Sequence, residues 1–271
     1  MNLPDPYQYT EGELCCEGVR LEQIAQEVGT PCYVYSRSAI QSSFRLLIES
    51  FASVDPLIFY AVKANSNLSI LKILKELGSS FDIVSGGEFF RLDQIGVSPN
   101  RMIFSGVGKT EDELALAVEH SIFCLVIESV FELVQLSELC RKRGKPCRIS
   151  FRFNPDIDAG THPYISTGLA QHKFGLDTAA VEAATEILRD NPLIKLVGIG
   201  SHIGSQVLDV QPYMDAFEKV IQLAEKLRSM GHAIDHVDLG GGFGIPYREE
   251  GVPDFDTLAA FLAKRCSDCR I

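Results

Sequence analysis

The stretch LIFYAVKANSN, residues 57–67, places a lysine at the point where a strand gives way to a helix. Residues 57–62 are apolar and rich in β-branched and aromatic side chains, which predicts a buried strand. Residues 68–77 then show helical periodicity. In an α/β barrel, Lys63 would lie at the catalytic face. A lysine partly removed from water can attack a carbonyl or hold an aldehyde cofactor, whereas a lysine that extends its ammonium to solvent is the alternative.

The alternation of strand and helix continues along the chain. Further strands are predicted at 81–84, 102–105, 122–127, 148–153, 196–202 and 236–239. Helices are predicted at 86–95, 111–120, 130–143, 178–189, 212–230 and from about residue 255. This alternation indicates parallel strands joined by helices, and the mostly apolar strands indicate a sheet covered on both faces.

Seven such strands are one fewer than a closed (β/α)8 barrel requires. The sequence therefore predicts an α/β fold of the TIM-barrel type without its last strand, and we expect the 271 residues to be part of a longer protein. Upstream, an amphipathic helix is predicted at 21–28 and a short strand at 31–35. Ser36 is predicted to cap a helix that runs to about Phe51.

Composition excludes several classes of function. The chain is 46% hydrophobic with a net charge of −11 and has no basic stripe, so nucleic acid is not an expected partner. We find no signal peptide and no apolar run long enough to span a membrane, so a cytoplasmic protein with reduced cysteines is expected. Cys266 and Cys269 have the spacing of half a zinc site but lack a second pair, so no metal is expected.

Polar residues recur where the predicted strands end. Asp82 lies inside one strand, and Glu88 begins the next helix, where an acid facing the helix dipole is the plainer interpretation. His202 ends a later strand, although a single histidine is more often structural. Gly240, Gly241 and Gly242 follow the last strand, and their N–H groups could converge on a phosphate, although a flexible turn has the same pattern. A lysine and a phosphate site on one barrel suggest pyridoxal 5′-phosphate, PLP.

The sequence resembles the barrel-type PLP-dependent decarboxylases, which share the barrel of alanine racemase. The matching stretches are YAVKAN (60–65), DIVSGGE (82–88), FSGVGKT (104–110), NPD (154–156), THPYISTG (161–168), HKFG (172–175), HIGSQ (202–206) and DLGGG (238–242). The loop at 161–168 and the motif at 202–206 favour the branch of the family that acts on diaminopimelate over those that act on ornithine or arginine. The resemblance runs from about residue 30 to 261.

The resemblance implies a role for each matching residue. Lys63 would form a Schiff base with PLP, and His202 would stack on the ring. The phosphate would be held by Ser205, Gly240, Gly241 and Gly242. The cofactor site would be lined by Ala61, Asp82, Glu88 and Arg152. The implied reaction is loss of carbon dioxide from meso-2,6-diaminopimelate, a small amino acid, to give L-lysine.

The resemblance also implies an organisation. Residues 1–35 would join a C-terminal segment in a β-sandwich domain, residues 36–271 would form the incomplete PLP-binding barrel, and the full-length protein would be a homodimer. The Glu-Pro-Gly-Arg motif of the family's eighth strand is not found in the 271 residues, so we expect the chain alone to have little activity. Another PLP-dependent amino-acid decarboxylase or racemase, or a non-catalytic PLP-binding pseudoenzyme, remains an alternative.

Overall fold

The computed structural model describes residues 5–157, 174–247 and 251–265, and these ranges form two sheets and nine helices. The strands are β1 (Tyr7–Thr10), β2 (Glu13–Cys16), β3 (Val19–Arg20), β4 (Phe59–Ala61), β5 (Ser80–Ile83), β6 (Met102–Phe104), β7 (Cys124–Ile127), β8 (Cys147–Arg152), β9 (Ile194–Gly200) and β10 (His236–Asp238). The helices are α1 (Leu21–Val28), α2 (Arg37–Ser50), α3 (Leu68–Glu76), α4 (Gly86–Gln94), α5 (Glu111–His120), α6 (Val130–Arg143), α7 (Thr178–Arg189), α8 (Gln211–Ser229) and α9 (Phe255–Arg265).

Strands β4 to β10 form one parallel sheet in chain order, so the predicted alternation is confirmed. The sheet is curled. The ring of Phe123, just before β7, lies 5.4 Å from the ring of Phe59 in β4 and 5.4 Å from that of His236 in β10. Strands at opposite ends of the sheet therefore meet the same aromatic side chain, as in an incomplete (β/α)8 barrel. The carboxyl ends of the strands converge at the opposite face.

One core lies between the parallel sheet and the helices that cover it. Strand β7 is buried at every position, and β5 includes the fully buried Phe81. Apolar side chains on the inner faces of the helices close this core, among them Leu133 in α6 and Phe217 in α8. Packing of this kind positions the strand ends rigidly, which is what a catalytic site requires. None of the described helices is long and apolar enough to cross a membrane.

The amino-terminal region differs from the prediction. The backbone at 31–35 is not a strand, and Tyr33 and Tyr35 are exposed. Instead, β1, β2 and β3 form an antiparallel sheet before α1. Glu-Gly pairs join these strands, and both residues of each pair have positive φ, as type I′ turns require. Glutamate is uncommon in that conformation, so the sequence did not signal the hairpins.

Candidate active site

Lys63 lies at the carboxyl end of β4, as predicted, in a 3-10 turn over Val62–Ala64. The residue is exposed, as in the alternative in which the lysine extends its ammonium to solvent. The turn follows Ala61, the half-buried last residue of β4.

Asp82 in β5 is a half-buried carboxylate that interacts electrostatically with Lys63. Its Oδ1 accepts a hydrogen bond of 2.6 Å from the hydroxyl of Ser105, at the end of β6. Burial raises the pKa of Asp82 to about 6, the Ser105 bond opposes that shift, and the charges of Asp238 and Glu88 add to it while Lys63 lowers it. The carboxyl of Asp82 can therefore exchange a proton near neutral pH.

Glu88 begins α4 and reaches back to the preceding strand. Its Oε2 accepts the N–H of Val84 at 2.8 Å, and its own N–H donates to the Ser85 hydroxyl. The structure thus supports the plainer interpretation of Glu88 as a residue of the first turn of a helix. The same placement brings its charge close enough to Asp82 to raise the pKa of that group.

His202 and Arg152 come from the later strands of the sheet, and the charge of Lys63 reaches His202. Arg152 ends β8, and His202 follows β9. Burial lowers the pKa of His202 to about 4, and the positive charges of Arg152 and Lys63 lower it further. The imidazole is therefore neutral at physiological pH and can present its face to an aromatic ring without an added positive charge.

Two glycine-containing loops lie against each other beside His202. A Cβ atom on Gly240 would come within 2.4 Å of the Ser201 carbonyl oxygen, and one on Gly242 within 2.0 Å of the Gly204 carbonyl oxygen. Both glycines have a φ of +84°. A Cβ on Gly241 would meet no atom within 4 Å. The backbone approaches closely at Gly240 and Gly242, and the space beside Gly241 is open. We call residues 240–242 the glycine cradle, and its shape suits a phosphate.

Ser205 and Asp238 complete this loop region. Ser205 is exposed, and its Cα lies 3.0 Å from the position of a Cβ on Gly242. Asp238 accepts the N–H of Gly240 at 2.7 Å, which shapes the turn. Asp238 ends β10 and is exposed at its surface, and desolvation raises its pKa.

The sequence did not signal a group of charged residues behind Arg152. Arg152 donates from one guanidinium nitrogen to Glu128 at 2.8 Å, and Glu128 follows β7 directly. Lys109 donates to Glu132 at 2.7 Å, and the Glu128 N–H donates to the other oxygen of Glu132 at 3.0 Å. A glutamate before a helix is usually read as a helix-start residue, and nothing in the spacing of these residues connected them.

Some predicted features lie outside the described residues. They are most of the 154–173 loop, including the 161–168 motif and His172, and the pair Cys266 and Cys269. Among the residues that are described, no group of three or more His, Cys, Asp or Glu side chains could hold a metal ion.

The geometry fits PLP. The glycine cradle brings the backbone close where side chains could not fit at Gly240 and Gly242, Lys63 offers an amine on the same face, and the neutral His202 ring lies beside Gly240. Lys63, Asp82, Arg152, His202 and Asp238 come together through mutual electrostatic contacts. Ala61 pairs with Asp82 between β4 and β5, and the charge of Glu88 reaches Asp82.

Comparison with known proteins gives the family. Residues 37–269 match the family model described as the pyridoxal-dependent decarboxylase, pyridoxal binding domain. The diaminopimelate decarboxylase of Pseudomonas aeruginosa is 43% identical over 92% of this chain and 60% of its own length. That of Aquifex aeolicus is 47% identical over 91% and 58%. The chain thus spans about 60% of the length of these curated relatives.

A solved structure agrees with this fold. The crystal structure of diaminopimelate decarboxylase from Helicobacter pylori complexed with L-lysine superposes with a TM-score of 0.89 at 38% identity, covering 93% of this chain and 64% of that one. The parallel sheet, the site at its carboxyl face and the match over residues 37–269 agree with one another. This chain therefore belongs to the pyridoxal-dependent decarboxylase family and carries its pyridoxal-binding barrel.

Proposed function

We propose that the chain acts in the PLP-dependent decarboxylation of meso-2,6-diaminopimelate to L-lysine. The observation that carries this proposal is the placement of Lys63, His202 and the glycine cradle at one face of the barrel. The relatives at 43% and 47% identity are named for that reaction, and a solved relative is complexed with L-lysine.

The residues have distinct tasks in this proposal. Lys63 would hold the cofactor's aldehyde carbon through its amine. Ser205 and the loop of Gly240, Gly241 and Gly242 would hold the phosphate, Gly241 and Gly242 through their N–H groups and Gly240 by shaping the turn through its N–H bond to Asp238. The cofactor supplies an electron sink when the bond between the D-centre carbon and its carboxylate breaks. Carbon dioxide leaves, and a proton takes its place on that carbon.

The remaining residues set the orientation and electrostatics of the site. The neutral His202 imidazole would stack on the cofactor ring. Arg152 keeps a positive charge beside it, and Asp82 with its Ser105 hydrogen bond provides a carboxyl that titrates near neutral pH. Ala61 and Glu88 line the site, Glu88 by fixing the turn between β5 and α4.

The organisation of the protein is proposed on the same basis. Residues 1–35, with the small antiparallel sheet, would belong to a domain separate from the barrel at 36–271. A homodimer and a cytoplasmic location are what the family resemblance favours. Size-exclusion chromatography with light scattering on the protein tests the dimer.

The substrate is tested by incubating the purified chain with PLP and meso-diaminopimelate and measuring L-lysine by mass spectrometry. Parallel reactions with ornithine, arginine and lysine separate the diaminopimelate branch from other decarboxylases. Lys63→Ala is the matched control. Lysine formation that depends on Lys63 supports the proposal, and preferential turnover of another amino acid contradicts it.

A further inference from the structure

Four charged side chains form a buried network behind the candidate site. Side-chain exposure is 1% for Lys109, 9% for Glu132, 1% for Glu128 and 17% for Arg152. Two cations and two carboxylates cancel in charge. Removing four charges from water is costly, and buried ion pairs can often be replaced by apolar residues without loss of stability. Stability alone therefore does not account for this arrangement.

Glu128 lies at the centre of the network because both of its carboxylate oxygens are used. Oε1 accepts the N–H of Gly106 at 2.7 Å, and Oε2 accepts from Arg152 at 2.8 Å. Gly106 follows β6 and Arg152 ends β8, so this one carboxylate, which follows β7, joins the ends of the two strands on either side.

Both ends of that connection carry residues of the candidate site. Ser105 precedes Gly106 and donates its hydroxyl to Asp82. On the other side, Arg152 lies close enough to His202 to lower the pKa of that imidazole. A shift of Glu128 would therefore move groups on two sides of the site together.

Glu128 is itself fixed by the other pair. The Lys109 ammonium uses all three of its protons, on the carbonyl oxygens of Gly106 and Val126 and on Glu132 Oε1. The free oxygen of Glu132 accepts the Glu128 N–H. The lysine thus holds Gly106 by its carbonyl oxygen while Glu128 holds the same residue by its N–H.

We infer that Glu128 is a positioning residue of the cofactor site, which holds Arg152 and the Ser105–Asp82 pair in place and is held in turn by Lys109 and Glu132. The inference rests on the proposed function, since it gives these residues a task toward PLP. Among the described residues, Glu128 reaches the site through its hydrogen bonds with Arg152 and Gly106, so we assign it a positioning role rather than a catalytic one.

The first test is made without cofactor. In Glu128→Gln the amide can still accept the Gly106 N–H but no longer binds the guanidinium as an ion pair. Modification of arginines by phenylglyoxal, mapped by peptide mass spectrometry, should then be about tenfold faster at Arg152, the effect of losing a hydrogen bond between charged groups. Arg37, in an exposed ion pair with Glu76, is the internal reference and should not change.

The second test adds PLP. The PLP dissociation constant, from the absorbance of the bound cofactor, should rise about tenfold in Glu128→Gln, as expected when a charged hydrogen bond that orders the site is lost. Glu119→Gln, which loses surface ion pairs with Arg143 and Lys145, is the matched control and should bind as wild type does. If Glu128→Gln does not fold, Glu128→Asp keeps the charge but cannot span both partners, and the same two changes are expected.

Two results with a folded Glu128 variant would overturn the inference. One is a rate of phenylglyoxal modification at Arg152 equal to that of wild type, and the other is faster modification of Arg152 with an unchanged PLP dissociation constant. Failure of the proposed function is read separately. It would appear as the absence of any Lys63-dependent PLP binding in the wild-type chain, whereas the arginine measurement needs no cofactor.

Discussion

At the scale of single residues, His202 and Asp82 have opposite effects on stability as the pH changes. The pKa of His202 is lowered from 6.5 to about 4 in the folded chain, so between these pH values the unfolded chain binds more protons at this residue. The folded state therefore loses stability at His202 as the pH falls from 6.5 to about 4. The pKa of Asp82 is raised from 3.8 to about 6 in the folded chain, so the folded chain binds more protons at this residue between these pH values. The contribution of Asp82 to folding stability is therefore present at low pH and is lost as the pH rises through about 6.

Single variants should separate the two effects. Relative to wild type, Asp82→Asn should lose stability more steeply on acidification from pH 6.5 to 4, because only the His202 effect remains. His202→Asn should instead lose less stability than wild type over the same acidification, because only the Asp82 effect remains. Each slope difference is at most about 1.4 kcal/mol per pH unit, the value of one proton. Urea unfolding at several pH values measures it, and parallel pH profiles for both variants and wild type would contradict these assignments.

The residues of the candidate site were easier to predict from the sequence than their surroundings. Lys63, Asp82 and His202 stand out because each is a polar residue near the end of an apolar strand. Glu128 stands in the same position but precedes Ser129, the cap of α6, so it looked like part of a helix start. The exposure of Lys63 was also unpredictable, because it depends on where the 3-10 turn ends β4.

At the scale of single elements, helix α5 begins with a capping box. The Thr110 hydroxyl accepts the Glu113 N–H, and the Glu113 carboxylate accepts the Thr110 N–H. Thr110→Ala should lower the free energy of unfolding by about 1 kcal/mol. Thr178→Ala is the control, because Thr178 is the exposed first residue of α7 and Asp177 caps that helix. Equal urea midpoints for Thr110→Ala and wild type would show that the cap contributes nothing.

The glycine loop allows a paired prediction. Gly242→Ala should destabilise the chain and weaken PLP binding, because its Cβ would lie 2.0 Å from a carbonyl oxygen and its φ is +84°. Gly241→Ala should leave thermal stability close to wild type, since no atom lies within 4 Å of the new Cβ. Circular dichroism melting compares the two, and equal melting temperatures would contradict the described loop geometry.

Strand and helix order was predictable, but element ends were less so. Seven strands could be predicted from apolar runs, because strands buried on both faces of a sheet lack alternating polar residues. The first of these was predicted at 57–62 and is observed at Phe59–Ala61, since Val62 enters the turn that carries Lys63. Val62 is fully buried, so hydrophobicity could not distinguish it from a strand residue.

At the scale of the whole molecule, the described sheet ends in two strands that pair on one side only, β4 and β10. Unpaired edges of this kind present N–H and C=O groups that recruit other strands. We therefore expect the 271-residue chain, purified alone, to associate as its concentration rises. Sedimentation velocity over a range of concentrations measures this, and a constant monomer value would show that the edges are protected.

The contacts between distant parts of the chain were beyond prediction from local patterns. The network of Lys109, Glu132, Glu128 and Arg152 is assembled by the order of strands β6 to β8, and no short motif contains it. The carboxyl ends of parallel strands meet at one face, which explains why the site residues could be expected together. Their partners behind that face depend on packing of the whole barrel.

In the proposed function, the barrel face holds PLP through Lys63. The most direct measurement is the absorbance spectrum of the purified chain titrated with PLP, beside Lys63→Ala. We predict a saturable cofactor band in wild type that is absent in Lys63→Ala, while both proteins have the same circular dichroism spectrum. A band of equal size in both folded proteins, or none in either, would contradict the account.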